Sequence, residues 1–356
     1  MHGRAVGVGL IVAATLAVPA TVGAATKTVQ AGPFGKTAQQ GFEQAVGDAN
    51  QFFRRTLTIH KGDSVKWKMN GFHTVTFVPG GVEAPALIVP DPANPVTGVL
   101  DAASPPVPFW FNGQPNLSFN PEVALKQGGG TFNADKLRNS GLPLGEGPPP
   151  AYKLKFKQKG RFTYLCIVHP GMAGSVRVVG KKKTIPSKDQ DKRAANREQA
   201  RTLGAVQRLT TGTNLNLTNT MQAGNDRRTG PTVFKFFPAN PSYKVGDTVA
   251  LQMAPTSTEV HTFTFGPEAY VNPLADNLIG QVIDPRGAYP SDPPPASPIS
   301  YTGTNHGNGF YNSGFLDSVG PSPLPSSTQI RFTAPGSFAL ICLIHPFMKS
   351  TVTVTP

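Results

Sequence analysis

Two cysteines and seven histidines in 356 residues set the first limits on this chain. Two cysteines exclude a disulfide-rich scaffold and a zinc site with four thiolate ligands. Seven histidines are fewer than a trinuclear copper cluster takes, which excludes an oxidase built on one. Charged residues make up only 15% of the chain, so neither charge-driven disorder nor a helical bundle fits. Methionines are few and isolated: Met69, Met172, Met221, Met253 and Met348 follow the initiator. No Met-rich stretch of the kind that hands copper from protein to protein is present. Past the first two dozen residues no apolar run is long enough to span a bilayer.

Glycine and proline, by contrast, are abundant, at 38 and 36 residues, and imply many turns and long loops. The length suits two domains. The start, Met1-His-Gly-Arg4 and then an apolar stretch from Ala5 to Ala20, closes on small residues at Val22 and Ala24. A basic residue, an apolar core and a small-residue end predict a secretory signal peptide over residues 1–24, and so an exported protein. An uncleaved anchor is the alternative, although the run is barely of spanning length; no cysteine follows it to carry a lipid.

The formal net charge is +13, and it is unevenly placed. Between Lys181 and Arg208 nine basic residues face only Asp189, Asp191 and Glu198, so about half the surplus lies in one short segment. Ala195, Leu203, Val206 and Leu209 fall on one face at helical spacing, which predicts a basic amphipathic helix. We read residues 181–212 as a linker that docks across the two halves of the chain, residues 25–180 and 213–356. A nucleic-acid arm fits an exported protein poorly; the positive charge is better matched to an acidic wall or an acidic redox partner.

Those two halves repeat each other. The first carries Gln30-Ala31-Gly32, Phe52-Phe53, Gly62-Asp63, His73-Thr-Val-Thr-Phe77, Asn139-Ser140-Gly141 and Cys166-Ile-Val-His169-Pro-Gly-Met172. The second carries Gln222-Ala223-Gly224, Phe236-Phe237, Gly246-Asp247, His261-Thr-Phe-Thr-Phe265, Asn312-Ser313-Gly314 and Cys342-Leu-Ile-His345-Pro-Phe-Met348, in the same order. Around these landmarks apolar residues alternate with polar ones, as in Val65-Lys-Trp67-Lys-Met69, Tyr152 to Phe156 and Ser175 to Val178. The second half matches with Val233 to Phe236, Val249 to Leu251, Gln329 to Phe332 and Thr351 to Val354. Strict alternation with β-branched residues predicts half-buried strands, hence an all-β chain of two antiparallel sandwiches. The Pro- and Gly-rich stretches Pro79 to Gly130 and Gly266 to Gly309 are read as excursions over one edge or end of each sandwich.

The chemistry lies in the Cys-x2-His-x2-Met turn with one His far upstream. Two imidazoles, one thiolate and a weak thioether together suit a copper ion that changes between Cu(I) and Cu(II), because the mixed set satisfies neither state alone. A single disulfide is the ordinary reading of two cysteines in an exported chain. It is disfavoured here because both cysteines have His, Pro and Met at the same following positions, and because they occupy equivalent places in separate halves.

Each half thereby resembles a type 1 blue copper protein of the cupredoxin family, in its plastocyanin and amicyanin branch. The turn Cys342 to Met348 is similar to the amicyanin turn, and Cys166 to Met172 has the same length. The resemblance implies Greek-key sandwiches with two type 1 copper sites, one held by His73, Cys166, His169 and Met172, the other by His261, Cys342, His345 and Met348. It departs where many plastocyanins have Asn after the first His; Thr74 and Thr262 stand there, and their hydroxyl or amide groups are expected to tie the two donor loops together.

What the sites lack shapes the functional expectation. Leu165 and Ile167 flank one cysteine and Ile341 and Leu343 the other, so no His beside the thiolate leads to a catalytic copper. His60 and His306, the histidines left over after the signal, are expected at the surface and cannot supply a three-imidazole site. The expected role is an exported, non-enzymatic electron carrier. Copper scavenging, storage or delivery is the alternative, and a surface scaffold a weaker third. Gly171 against Phe347 is the notable difference between the turns; an aromatic ring there would shield the second copper and raise its reduction potential.

Overall fold

The computed structural model describes residues 24–145, 147–228, 230–280, 282–294, 298–318 and 323–356. Apart from Ala24, the expected signal lies outside them. In the strand Ser64–Met69 the period of two turns Val65, Trp67 and Met69 inward and leaves Lys66 and Lys68 facing outward. Four more strands share its sheet, in the order 52–53, 26–31, 64–69, 152–155, 130–131. The facing sheet runs 138–139, 76–77, 160–165, 173–179, 56–60. Between the sheets a core forms around Val29, Leu57, Val65, Trp67, Tyr164 and Val176, all fully buried or nearly so.

The second half repeats this topology strand for strand. One sheet is ordered 236–237, 220–223, 248–253, 327–332, 299–301, and the other 242–244, 349–355, 336–341, 264–265, 311–312. Even the register recurs: Ala31 lies opposite Met69, and Ala223 opposite Met253. The protein is thus two β-sandwiches of one topology joined by the helix Lys188–Leu209.

Neither sandwich is purely antiparallel. Strand 26–31 runs parallel to 64–69, and 56–60 parallel to 173–179; the second half has the same two parallel pairs. Gly62-Asp63 is the cause. It carries the chain from one sheet to the other instead of closing a hairpin, so sheet neighbours come from distant segments. The Asp63 carboxylate braces that corner by accepting from the backbone N–H of Ala25 at 2.8 Å and of His60 at 3.0 Å. The expected strand Val233 to Phe236 is also broken in two. Val233 pairs with Gly47 of the first half while Phe236 pairs with Ala223 of its own, so the chain changes sheets between them.

Two further apolar clusters join the halves. The linker helix is N-capped by Ser187, whose hydroxyl accepts from the Gln190 N–H while Gln190 answers the Ser187 N–H. Its buried face, with Ala195, Val206 and Leu209, packs on Phe42 and Phe53 of one half and on Val233 and Phe237 of the other. That face is not wholly apolar: Asp191 is buried against Lys27 at 2.7 Å and Arg54 at 3.2 Å. The two proline-rich excursions pack on each other, not over separate edges. Val96, Phe109 and Phe111 from the first meet Val271, Leu274 and Phe310 in one core. His306 is drawn into this contact, lying 3.6 Å from Asp101 and 3.5 Å from Asp292 with its ring against Phe109. It is therefore a clamp between excursions and not the surface residue expected from sequence. His60 is half-buried, with its ring nitrogen 2.7 Å from the Lys183 carbonyl.

Candidate metal centres

Each triad is assembled by one strand end and one turn. In the first half the strand 160–165 leads directly into Cys166, and the following turn is closed by Cys166 N–H to the Met172 carbonyl (2.9 Å) and Met172 N–H to the His169 carbonyl (3.0 Å). The second turn closes identically, at 3.0 and 2.7 Å between Cys342 and Met348 and between Met348 and His345. The upstream His arrives on the segment just before strand 76–77, and Asn139-Ser140-Gly141 holds that segment in place. Ser140 Oγ accepts from the Val75 N–H at 2.9 Å, and Asn139 Oδ1 accepts from the Thr76 hydroxyl at 2.9 Å. Ser313 and Asn312 do the same for Phe263 and Thr264. Gly141 and Gly314 end these motifs at positive φ, where a Cβ would strike Lys126 N at 2.9 Å or Pro290 N at 2.6 Å.

His73, Cys166 and His169 converge with their donor atoms within 4.8 Å of one another, and so do His261, Cys342 and His345. The Nδ1 atoms of His73 and His169 are 3.0 Å apart, and Cys166 Sγ is 3.6 Å from His169 Nδ1. In the second centre the Nδ1 atoms are 3.2 Å apart, and Cys342 Sγ stands 3.6 and 3.7 Å from them. One ion placed about 2.0 Å from each nitrogen and about 2.3 Å from sulfur bridges these gaps, so the donors fit a single small metal. Both cysteines are free and buried, which leaves the thiolates to the centres and not to a disulfide. Met172 and Met348 are buried in the same cores as their cysteines. Gly32 sits at positive φ directly under His73, where any Cβ would come within 2.7 Å of the ring nitrogen Nε2.

Thr74 and Thr262 do what was expected of them. The Thr74 hydroxyl accepts from Ile167 N–H at 2.8 Å, and its own N–H points at Cys166 Sγ from 3.3 Å. Thr262 repeats both contacts, on Leu343 N–H at 2.8 Å and Cys342 Sγ at 3.4 Å. The upstream loop and the Cys turn are therefore tied by one buried hydroxyl, while an amide donor steadies the sulfur.

A residue that the repeat does not single out joins the two centres. Glu259, buried, stands two positions before His261, where the first half has Gly71. Its Oε1 lies 3.4 Å from His169 Nε2 and its Oε2 lies 3.7 Å from His345 Nε2. Asn50, itself buried, donates Nδ2 to Oε1 at 2.7 Å. Behind them the strands 231–233 and 47–49 pair antiparallel across the halves. The outer edges of the two centres thus face one another across this seam.

The charges differ between the centres. Burial alone would raise the Cys166 thiol and lower His169. The His169 and His73 rings instead hold Cys166 well below the ordinary thiol range, and Glu259 with Cys166 holds His169 well above that of a free histidine. In the second, burial keeps Cys342 above the usual thiol value and, with His345, lowers His261 to about 3, so thiol and imidazoles are neutral. Burial also lowers His345, against Glu259. Phe347, expected to shield the second copper, is 62% exposed with its ring centroid 6.1 Å from that of His345, whereas buried Phe234 lies 4.6 Å from the same ring.

No family model matches the chain, and no curated protein matches it. Among solved structures it is similar to a Cu(I) form of an amicyanin variant, with 15% identity, a TM-score of 0.22, and 43% of this chain and 82% of that one covered. A second amicyanin variant, in its reduced Cu(I) form at pH 4, gives 17%, 0.22, 45% and 88%. The oxidized plastocyanin of Dryopteris crassirhizoma gives 18%, 0.21, 38% and 99%. At such scores the fold and the centres stand on the strand ladders and interatomic distances given above. Among the described residues no helix is long and apolar enough to cross a membrane.

Proposed function

We propose that this protein is an exported, non-enzymatic electron carrier with two type 1 copper centres, one in each sandwich. The observation that supports it most is the duplicated triad, in which two Nδ1 atoms and one sulfur converge behind closed Cys-to-Met turns. His73, Cys166, His169 and Met172 would hold one copper, and His261, Cys342, His345 and Met348 the other. Copper in such a set supplies a fast one-electron couple. The chain's own residues supply rigidity: hydrogen-bonded turns and the Thr74 and Thr262 hydroxyls fix the donors before metal arrives, so a change of charge moves little. Burial keeps water off the thiolates.

Leu165, Ile167, Ile341 and Leu343 give the cysteines no histidine neighbour. His60 and His306 are committed to Lys183 and to the excursion clamp. These features favour a carrier over an oxidase or nitrite reductase. An acidic redox partner remains the proposed counterpart, because all nine basic residues of the segment 181–208 are exposed. Redox titration of the copper-loaded protein separates carriage from storage. Reversible one-electron steps at both centres with copper retained support carriage, and release of copper on reduction supports storage or delivery.

A further inference from the structure

We propose that Glu259 is a coupling residue that joins the two metal centres into one electrically linked pair. The inference rests on the two-centre reading above and goes beyond it, since nothing in the duplicated motifs requires the centres to communicate. With Nδ1 of each histidine turned toward its own centre, the proton of the neutral ring sits on Nε2. His169 and His345 aim those outer nitrogens at opposite oxygens of one carboxylate, at 3.4 and 3.7 Å. Only these two gaps and one carboxyl group separate an imidazole of one centre from an imidazole of the other.

The bridge is built and not incidental. Glu259 lies in a seam closed by the 231–233 and 47–49 ladder, where an unpaired carboxylate would be costly. Asn50 Nδ2 holds Oε1 at 2.7 Å and also reaches Thr232 and Thr258 at 3.1 and 2.9 Å, so the carboxylate cannot swing away. The Ser257 hydroxyl accepts from the Glu259 N–H at 3.1 Å and donates to Asp226 at 2.6 Å, fixing the backbone as well. The duplication itself offers no counterpart: Gly71 replaces the carboxylate and Phe234 stands where Asn50 would be, two residues before the Phe-Phe pair. Glu259 therefore touches both centres, whereas the Asp48 carboxyl acts on His73 and His169 of the first.

Two consequences follow. A negative charge close to both rings favours the more positive, oxidised state of both centres. With metal in both centres, the short path from ring to carboxylate to ring, with gaps of 3.4 and 3.7 Å, would also carry one electron from the reduced centre to the oxidised one. The first is oxidised and the second reduced, the imidazole protons stay where they are, and no co-reactant is consumed.

Glu259→Gln keeps the shape, removes the charge, and turns an amide N–H toward one of the two imidazole N–H groups. In redox titrations of the full-length copper-loaded protein, both reduction potentials should rise. After a brief photoreduction that reduces one centre, re-equilibration between centres should slow by roughly tenfold, the low end of what loss of a group beside a metal-bound histidine costs in activity. Cys342→Ser and Cys166→Ser, each combined with Glu259→Gln, assign the two shifts; Asn50→Ser, which frees the carboxylate without neutralising it, should slow re-equilibration while moving the potentials less. A shift at one centre only, or unchanged exchange between centres, would overturn the coupling role. Failure of the two-centre reading looks different, since it would leave wild-type protein without two copper-dependent visible bands, whatever stands at position 259.

Discussion

The duplicated threonine tie is the feature whose energetic weight can be worked out most directly. Thr262 and Leu343 are both buried, and the hydroxyl of one is the acceptor for the N–H of the other at 2.8 Å. Thr262→Val replaces that oxygen by a methyl group of nearly the same size, so no large cavity opens. Thr264 keeps its bond to Asn312 Oδ1 at 2.8 Å, and the Thr262 N–H still faces Cys342 Sγ. The Thr262 hydroxyl's 3.0 Å contact with the Thr264 hydroxyl is lost, and the main cost is a buried Leu343 N–H left without a partner, about 1–3 kcal/mol. In urea denaturation of the metal-free protein we expect a loss of about 2 kcal/mol, read as a lower midpoint at unchanged slope. Thr74→Val should cost a similar amount through Ile167 N–H. Thr353→Val, on an exposed strand position, is the control and should stay within about 0.5 kcal/mol of wild type. If Thr262→Val matched that control while remaining folded, the hydroxyl would not be the tie between the two donor loops.

Three further outcomes are expected. Asp191→Asn leaves Lys27 buried with a weakened partner and should destabilise the metal-free protein by about 3 kcal/mol, whereas Asp189→Asn on the exposed side of the same helix should change little in thermal unfolding. Burial raises the Asp226 carboxyl to about 7, against its bonds from Ser257 and Val233, so the folded state holds a proton that the unfolded state releases from about pH 4 upward. Its contribution to stability is therefore full below pH 4 and is lost as pH rises through 7, by a few kcal/mol in all; Asp226→Asn should flatten that part of a denaturation-versus-pH profile, and a profile unchanged by the substitution would contradict the assignment. Because Phe234 and not Phe347 covers His345, Phe234→Ala should lower the reduction potential of the second centre more than Phe347→Gly does, and the reverse order in a redox titration would restore Phe347 as the shield.

Sequence pattern went far inside each half and little way between them. Period-two runs such as Val65 to Met69 located core strands because alternation directly encodes a half-buried sheet. The triads were legible for another reason: the Cys-x2-His-x2-Met spacing is local, and the upstream His precedes the same Thr-x-Thr-Phe segment in both repeats. Parallel pairing was not legible, because Gly-Asp reads alike in a hairpin and in a crossover between sheets. The buried Asp191 on a basic helix escaped notice because its partners, Lys27 and Arg54, lie more than a hundred residues away. Glu259 left a faint trace, a single acid two residues before His261 with glycine at the matching place. Only the pairing of 231–233 with 47–49 gives that acid its position between His169 and His345. His306 was misread for a similar cause, since its two carboxylate partners come from different excursions.

The central claim, two type 1 copper centres, one in each sandwich, is tested most directly by loading metal-free protein with Cu(II) and measuring bound copper together with the visible spectrum. The account predicts two copper ions per chain and an intense thiolate-to-copper band in the red, with Cys166→Ser and Cys342→Ser each removing one ion and about half the band. Colourless protein that holds Cu(II), or a Cys166 to Cys342 disulfide in the copper-loaded form, would contradict it.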